Sequence, residues 1–368
     1  MALLGMGGVG KTALVAKFAR SHHQEFEFII WRNLRNAPPL EELLAELLQF
    51  LSESQEIDRP TPLDGKILQL LKCLRDHRCL LILDGVESIL QNGSETHVGG
   101  YRAGYEGYGQ LLTCIGETQH QSCLVLTSRE MPKGLSTLEG EALPVRCLPL
   151  KGVTWIEGQQ IAQTKGAFTG SEGEWAAFVE RYAGNPLVLK IVASTIRAMF
   201  GSSIAYFLTL LENSAFLIDE VRDLLEEQFN RLGRLEQDLL HWLAINDKPM
   251  TVEELQEGVS YPLSISELMQ TIAALQRRSL IEITIEQTTY ATQPSIVLRY
   301  ATNSLIEQIS WGMNQQHEII NKPKQYESAD TKQLTDPSHK NNKVHSVHTI
   351  SPQPQFSTAN ELLTPARV

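Results

Sequence analysis

The sequence predicts an α/β protein: a parallel sheet with covering helices, then a helical region, then three helices and a β-hairpin. Residues 2–150 alternate short apolar runs with helical patterns, as parallel α/β sheets do. From about residue 152 the apolar spacing is helical, and strand-like alternation returns only after residue 278. We therefore expect folded domains over residues 1–150, 151–232 and 233–312.

Five apolar runs are the expected strands of the first domain: Ala2–Leu4, Glu27–Trp31, Cys79–Leu83, Cys123–Thr127 and Leu143–Leu148. Apolar residues at spacings of three and four predict helices over Lys11–Arg20 and Leu40–Leu51. The segment Gln91–Gln110 is rich in glycine and tyrosine, which predicts a surface loop. Its tyrosines are candidates for stacking on a ligand, although packing within the loop is the simpler interpretation.

The last domain is predicted from three helical patterns and one alternating run. The patterns cover Leu235–Ile245, Thr251–Gly258 and Ser264–Arg278, and the alternating run covers Ser279–Tyr300. Three helices followed by a hairpin are the layout of a winged-helix domain. Residues 313–368 are rich in polar residues and lack periodicity, which predicts a disordered tail.

Composition excludes several classes of protein. A net charge of −11 argues against a broad nucleic-acid-binding surface. No run of about 18 apolar residues predicts a membrane span, and no charged n-region with a cleavage site precedes the first glycines. The five cysteines lack C-x-x-C spacing and several lie in apolar runs, which indicates buried thiols. We expect a cytoplasmic protein.

Two phosphate-binding signatures overlap in the segment LLGMGGVGKTALV, residues 3–15. Gly5, Gly7 and Gly10 fit the dinucleotide pattern G-x-G-x-x-G, and Gly5 and Gly10 with Lys11 and Thr12 fit the triphosphate loop G-x-x-x-x-G-K-[ST]. A dinucleotide fold needs neither the lysine nor the threonine. It needs an acid at the end of the second strand, whereas Glu25 and Glu27 lie at its start. We therefore predict a nucleoside-triphosphate site.

Two further strand ends support this prediction. The strand before Asp84 is apolar, and a carboxylate at that place holds Mg²⁺ in phosphate-loop enzymes, although a lone strand-end Asp is also a common turn former. Arg129 follows the next apolar strand and is a candidate γ-phosphate sensor, with a surface ion pair as the alternative. Lys11, Asp84 and Arg129 are the candidate catalytic residues, and Thr12 and Asp84 are the candidate Mg²⁺ residues.

Four segments together resemble the NB-ARC branch of the STAND ATPases, nucleotide switches that include plant immune receptors and the apoptosome scaffold. The segments are GMGGVGKT (residues 5–12), LLILDGVES (80–88), LVLTSRE (124–130) and YAGNPLVLKIV (182–192). The likeness covers residues 2–311 and is greatest to cyanobacterial members with WD repeats. It implies an ATP- or ADP-binding signal-transduction switch with Mg²⁺, a winged helix that folds over the nucleotide, and adenine packing by Gly184 and Pro186. The predicted nucleotide contacts are Gly5, Gly7, Gly8, Val9, Gly10, Lys11, Thr12, Ala13, Gly184 and Pro186.

The chain departs from the NB-ARC pattern in three places. The family's G-R-x-x-E segment and a fuller first strand before the phosphate loop are lacking. Many members have a second acid where this chain has Gly85, and Glu87 is out of register with it. The family's M-H-D motif corresponds to residues 292–294, which read Thr-Gln-Pro. We expect a chain truncated at both ends relative to longer sensors, with at most slow ATPase activity.

Two alternative functions remain open at this level. One is a folded scaffold fragment without a competent nucleotide site. The other is a DNA-binding regulator that uses Ser264–Arg278 as its recognition helix, although the basic residues Arg277 and Arg278 lie at the wrong end of it. We expect ATP or ADP and protein partners, including self-association or a WD-repeat region in a longer relative, and neither specific nucleic acid nor membrane.

Overall fold

Five parallel strands form the first sheet, in the order β2-β3-β4-β1-β5. They are β1 (Ala2–Leu4), β2 (Phe28–Asn33), β3 (Cys79–Asp84), β4 (Cys123–Ser128) and β5 (Cys147–Pro149). The computed structural model describes residues 1–51, 62–92, 99–211, 217–258, 263–285 and 289–321. Residues Met1–Gln308 form one compact unit, and a second unit begins at Ile309. The predicted α/β fold with a parallel sheet is confirmed.

The sheet is buried on both faces because helices cover each side. The helices of this part are α1 (Lys11–Ser21), α2 (Leu40–Leu51), α3 (Leu63–Asp76), α4 (Glu106–Glu117) and the short α5 (Leu135–Leu138). Leu80 and Ile82 of β3 pack on the core beneath α1, and the alternate residues Leu81 and Leu83 pack on the opposite core. Two buried faces explain why the strands read as continuous apolar runs and not as alternating ones.

The regular elements that the structure describes between residues 155 and 229 are helices, as predicted. They are α6 (Trp155–Gln163), α7 (Glu172–Arg181), α8 (Pro186–Met199), α9 (Ile204–Leu210) and α10 (Asp219–Phe229). Two of them begin with reciprocal capping boxes, Thr154 with Glu157 and Ser171 with Glu174. These boxes satisfy N–H groups that the first turn of a helix otherwise leaves without a partner.

The next elements are α11 (Arg234–Asn246), β6 (Met250–Thr251), α12 (Val252–Gly258), α13 (Ile265–Arg277), β7 (Glu282–Ile285), β8 (Thr289–Thr292) and α14 (Ser295–Asn321). The predicted order of three helices followed by a hairpin is observed. The unpredicted two-residue strand β6 pairs with β8, which makes an antiparallel sheet of order β6-β8-β7. These elements share one hydrophobic core with the helices that precede them.

The predicted fifth strand, Leu143–Leu148, is wrong in its first four residues, because β5 contains only Cys147–Pro149. Pro144 has no backbone N–H to give to a sheet. The guanidinium of Arg146 donates hydrogen bonds to the carbonyls of Gly140, Glu141 and Leu143. Residues 140–145 therefore form a turn around the Arg146 side chain, and the strand begins at Cys147.

Part of the predicted loop Gln91–Gln110 is also helical, because α4 begins at Glu106, whereas residues 93–98 lie outside the described residues. Two glycines of this stretch, Gly107 and Gly109, serve helix packing. A Cβ on Gly107 would lie 2.9 Å from Leu40 Cδ2, and one on Gly109 would lie 2.6 Å from Tyr101 Cε2. Close approach of neighbouring side chains, and not turn geometry, accounts for these glycines.

The predicted hairpin Ser279–Tyr300 ends early, because Ser295–Tyr300 belongs to α14. Ile296, Val297, Tyr300 and Ala301 are all buried, at spacings that place them on one helical face. The same helix continues to Asn321, so residues 313–321 of the predicted disordered tail are helical. The remainder of that tail, residues 322–368, lies outside the described residues.

Candidate functional site

The glycine segment forms a loop between the end of β1 and the start of α1. Gly8 and Gly10 have φ values of 80° and 106°, and α1 begins directly after Gly10 at Lys11. Gly8 also has no room for a side chain, because a Cβ there would lie 2.8 Å from Asn185 Oδ1. A glycine loop that runs into a helix N-terminus turns backbone N–H groups towards an anion.

The Lys11 ammonium lies on the carbonyls of its own loop. Its Nζ donates hydrogen bonds to Gly5 O over 2.7 Å and to Met6 O over 3.0 Å, and the residue is 8% exposed. Burial lowers the pKa of Lys11 to about 8, an effect that the negative charge of Glu87 opposes. The loop therefore holds a desolvated cation beside the anion-binding backbone.

Asp84, at the end of β3, joins the loop to the neighbouring strand. Its Oδ1 accepts hydrogen bonds from Thr12 Oγ1 over 2.8 Å and from Thr127 Oγ1 over 2.6 Å. Thr127 in turn accepts a hydrogen bond from the Gly85 N–H at 3.0 Å. The structure thus brings together the two residues that the sequence predicted as Mg²⁺ residues. Asp84 is buried, and Thr12, in the first turn of α1, is exposed.

Arg129 follows β4 and lies beside the loop. A Cβ on Gly7 would lie 3.5 Å from Arg129 Cζ. Arg129 Nε pairs with Glu87 Oε1 at 3.2 Å, and its Nη2 pairs with Glu227 Oε2 at 2.9 Å. Its Nη1 is buried without a hydrogen-bond partner in the part of the chain that the structure describes.

Glu87 and Glu227 were missed as site residues by sequence reasoning. The sequence places Glu87 out of register with the second acid of the family, and the structure shows its carboxylate on Arg129. Its position in the helical turn directly after β3, three residues past Asp84, is a usable sequence signal. Glu227 lies 98 residues from Arg129, and no local pattern links them.

The turn Gly184–Pro186 lies against the same loop. Asn185 caps α8 by accepting hydrogen bonds from the N–H groups of Leu187 and Val188, and its Nδ2 donates to Gly7 O over 2.8 Å. Pro186 occupies the first turn of α8, where its missing N–H costs nothing. Asn185 was not among the predicted contacts, although an Asn directly before a helix-starting Pro is a recognisable cap.

A second group of charged residues, the buried ion-pair cluster, is centred on Glu130, the residue that follows Arg129. It consists of Glu130, Arg231, Glu236 and Arg278. Both Arg231 and Arg278 pair with Glu130, and Arg278 Nε also lies 3.2 Å from Glu236 Oε1. Glu130 and Glu236 are 1% exposed in their side chains, and Arg278 is 5% exposed. The end of β4 is thereby tied to α11 and to the end of α13.

Several other predicted candidates lie elsewhere. The hydroxyls of Tyr105 and Tyr108 donate to the carbonyls of Ala37 and Pro38, which supports the packing interpretation of those tyrosines. Gln293 donates to Leu240 O, so it serves the packing of α11. Burial of Arg278 in the ion-pair cluster leaves only Arg277 exposed of the two arginines that a DNA-binding α13 would use.

Glu27 provides no ribose-binding acid. Its carboxylate accepts hydrogen bonds from the Arg78 backbone and from His77 at 2.9 Å, before the start of β2. Hydrogen bonding by His77 and Arg78 lowers the pKa of Glu27. In a dinucleotide fold, the acid that binds the ribose lies at the carboxyl end of the second strand, whereas Glu27 precedes the start of β2.

The residues of this site fit a nucleoside triphosphate with Mg²⁺. Within the described chain, the Nη1 of Arg129 has no hydrogen-bond partner, and the desolvated Lys11 ammonium is hydrogen-bonded to the neutral carbonyls of Gly5 and Met6. No group of three or more His, Cys, Asp or Glu suited to a metal occurs among those residues. Mg²⁺ needs no such group, because it is usually held by one or two protein oxygens and the substrate phosphates.

The sheet order, the glycine loop and the pairing of Thr12 with Asp84 define a P-loop ATPase fold. The Walker-type ATPase PABY2304 of Pyrococcus abyssi has a similar fold, with a TM-score of 0.53 and 16% identity over 82% of this chain and 90% of that chain. Residues 1–92 match the NB-ARC domain family. This match agrees with the resemblance to the NB-ARC family that the motifs predicted, over these residues.

Two further relatives were found. The chain is 49% identical over 324 residues to the uncharacterized WD repeat-containing protein alr2800 of Nostoc sp. strain PCC 7120. This match spans 84% of the chain and 25% of that protein, so the chain corresponds to about a quarter of its relative's length. The STAND protein PH0952 of Pyrococcus horikoshii, which has a tetratricopeptide repeat sensor, aligns with 17% identity and a TM-score of 0.40 over 88% of this chain and 43% of that chain.

Within the described residues, no helix combines the length and the apolarity that crossing a bilayer would require.

Proposed function

We propose that this chain is a nucleotide-dependent signalling switch that binds ADP or ATP with Mg²⁺ and hydrolyses ATP slowly. The convergence of Lys11, Thr12, Asp84 and Arg129 on one glycine loop is the observation that supports this proposal most directly. The NB-ARC match over residues 1–92 supports it independently. A scaffold fragment without a nucleotide site would not need a buried lysine on loop carbonyls.

Each site residue has a distinct proposed role. The backbone N–H groups of residues 7–13 bind phosphate oxygens, and Lys11 neutralises the β- and γ-phosphates. Thr12 and Asp84 hold Mg²⁺, which when bound withdraws charge from the phosphates. Arg129 contacts the γ-phosphate, and Pro186 packs on the adenine. Gly85 supplies no carboxylate to orient an attacking water, which favours slow turnover.

We propose a separate function for each of the three predicted domains. Residues 1–150 bind the nucleotide, residues 151–232 form a helical subdomain, and residues 233–312 form a winged helix that reports the nucleotide state. The buried ion-pair cluster supports this coupling, because it joins Glu130 to Arg231 and Arg278. By analogy with the WD repeat-containing relative, a WD-repeat region of a longer cytoplasmic protein is the proposed partner and sensor.

Calorimetric titration of the full chain with ADP and Mg²⁺ tests the nucleotide site. We expect saturable binding by the parent, and a loss of at least about tenfold in Lys11→Ala, since a charge-assisted hydrogen bond contributes roughly 1.5–3 kcal/mol. Lys17→Ala is the matched control, because Lys17 is an exposed lysine on the same helix. No binding by the parent, or equal binding by Lys11→Ala, would refute the proposal.

A further inference from the structure

Helix α10 covers the phosphate loop with one of its faces. Leu224 Cδ1 lies 3.3 Å from the position that a Cβ would occupy on Gly7. One turn further along α10, Glu227 Oε2 lies 2.9 Å from Arg129 Nη2. The helix therefore contacts both the loop and the arginine that is the candidate for binding a third phosphate.

Two carboxylates share the single positive charge of Arg129. Glu87 accepts from the Arg129 backbone N–H at 3.3 Å and pairs with Nε, while Glu227 pairs with Nη2. Because both carboxylates already occupy the guanidinium, a γ-phosphate that binds Arg129 has to displace one of them. A diphosphate lacks that group and leaves both ion pairs in place.

The two carboxylates differ in how readily they can leave. Glu87 is 17% exposed and is also held by a backbone N–H, whereas Glu227 is 63% exposed. An exposed ion pair contributes little and is easily exchanged for water. Arg231 anchors the chain just after α10 by donating to Glu87 O over 2.9 Å and by pairing with Glu130, so the exchange begins with a movement of the Glu227 side chain.

We propose that Glu227 is a specificity-determining residue: it competes with the γ-phosphate for Arg129 and so favours ADP over ATP. The proposal rests on the proposed function, because it requires a nucleotide on the loop. It assigns the preference for the diphosphate to a residue outside the phosphate loop, on the helix that packs over it.

The test is calorimetry of the full chain with Mg²⁺–ADP and with a non-hydrolysable β,γ-imido analogue of ATP. Glu227→Gln should tighten binding of the analogue about two- to fivefold, the range expected for an exposed ion pair, and should leave ADP binding unchanged. The neighbouring exposed Glu226→Gln, which removes the same charge from the same helix, should change neither affinity. In an Arg129→Gln background, Glu227→Gln should have no effect, because the competition needs the arginine.

Calorimetry of the parent and of Glu227→Gln distinguishes a failure of nucleotide binding from a failure of the role proposed for Glu227. If the parent binds neither nucleotide, the proposed function fails and the inference fails with it. If the parent binds both and Glu227→Gln shifts both affinities by the same factor, only the inference is overturned. An effect of Glu227→Gln that persists in the Arg129→Gln background, or that Glu226→Gln reproduces, would overturn it as well.

Discussion

The Thr12 hydroxyl donates a hydrogen bond to Asp84 Oδ1 over 2.8 Å, which ties the glycine loop to the end of β3. Asp84 also accepts from Thr127 at 2.6 Å, so its carboxylate is fixed from both sides. A fixed carboxylate beside the first residues of α1 is suited to hold Mg²⁺ at a bound triphosphate. This pairing is the basis for the first prediction.

Asp84→Asn should weaken the Mg²⁺-dependent part of nucleotide binding by about 10- to 100-fold, the range found when groups that organise a metal site are replaced. Thr12→Ala should act in the same direction. The measurement is ADP affinity with Mg²⁺ and with a chelator. Thr137→Ala, which removes an exposed hydroxyl that donates to Gly134 O, serves as the control. Equal losses with and without Mg²⁺ would argue that Asp84 has no role in holding the ion.

ADP affinity should fall as the pH rises above about 8. Burial lowers the pKa of Lys11 to about 8 in the free protein, and bound phosphate favours the charged lysine and so raises that pKa. Below pH 8 the lysine is protonated in both states, and above it binding must take up a proton. Calorimetry between pH 7 and pH 9 measures this trend. Lys11→Ala should show no such fall, and a similar slope in both proteins would exclude Lys11 as its origin.

Glu130→Gln should lower the free energy of unfolding by about 3–5 kcal/mol, because it removes a buried charge with which both Arg231 and Arg278 pair. Glu130 is 1% exposed and pairs with both Arg231 and Arg278. Glu46→Gln is the control, since Glu46 also pairs with an arginine, Arg32, but is 61% exposed and should change stability by less than about 1 kcal/mol. Urea denaturation measures both variants, and equal midpoints would contradict a structural role for the buried cluster.

ATP turnover should stay below about 1 s⁻¹, the low end for ordinary enzymes. Gly85→Asp should raise it modestly by supplying a carboxylate next to Asp84. Gly85 has φ +83°, a conformation that Asp and Asn tolerate better than other side chains, so we also expect a lower melting temperature. Gly85→Asn carries the same strain without the charge and should not raise turnover. A parent rate well above 1 s⁻¹ would remove the basis of this prediction.

The sequence predicted the sheet and the glycine loop before α1 well because both are local patterns. Strands buried on two faces are continuous apolar runs, and β1 was predicted with its observed bounds. The prediction was wrong at two segments. The Arg146 guanidinium hydrogen-bonds the carbonyls of the residues before it, so that segment is not a strand. The apolar residues after Pro294 resemble a strand in sequence but form the buried face of α14.

The candidate site was predictable where a motif places residues at short spacing, as for Lys11 and Thr12. Glu227 and Arg278 could not be predicted, because their partners Arg129 and Glu130 are distant in the chain and are brought near only by folding. Asn185 lies between these cases: its cap of α8 is a local signal, whereas its hydrogen bond to Gly7 O spans 178 residues. Long-range polar pairs carry no periodicity for sequence reasoning to detect.

Hydrogen exchange of the full chain in two nucleotide states tests the central claim, a nucleotide-dependent switch, most directly. With Mg²⁺–ADP, we expect the amides of α10 and α13 to be protected, since Arg129 and Glu130 hold the ends of these helices. With the β,γ-imido analogue of ATP, the same amides should exchange faster while those of β3 and β4 remain unchanged. Identical exchange in the two states, in a chain that calorimetry shows to bind both nucleotides, would contradict the account.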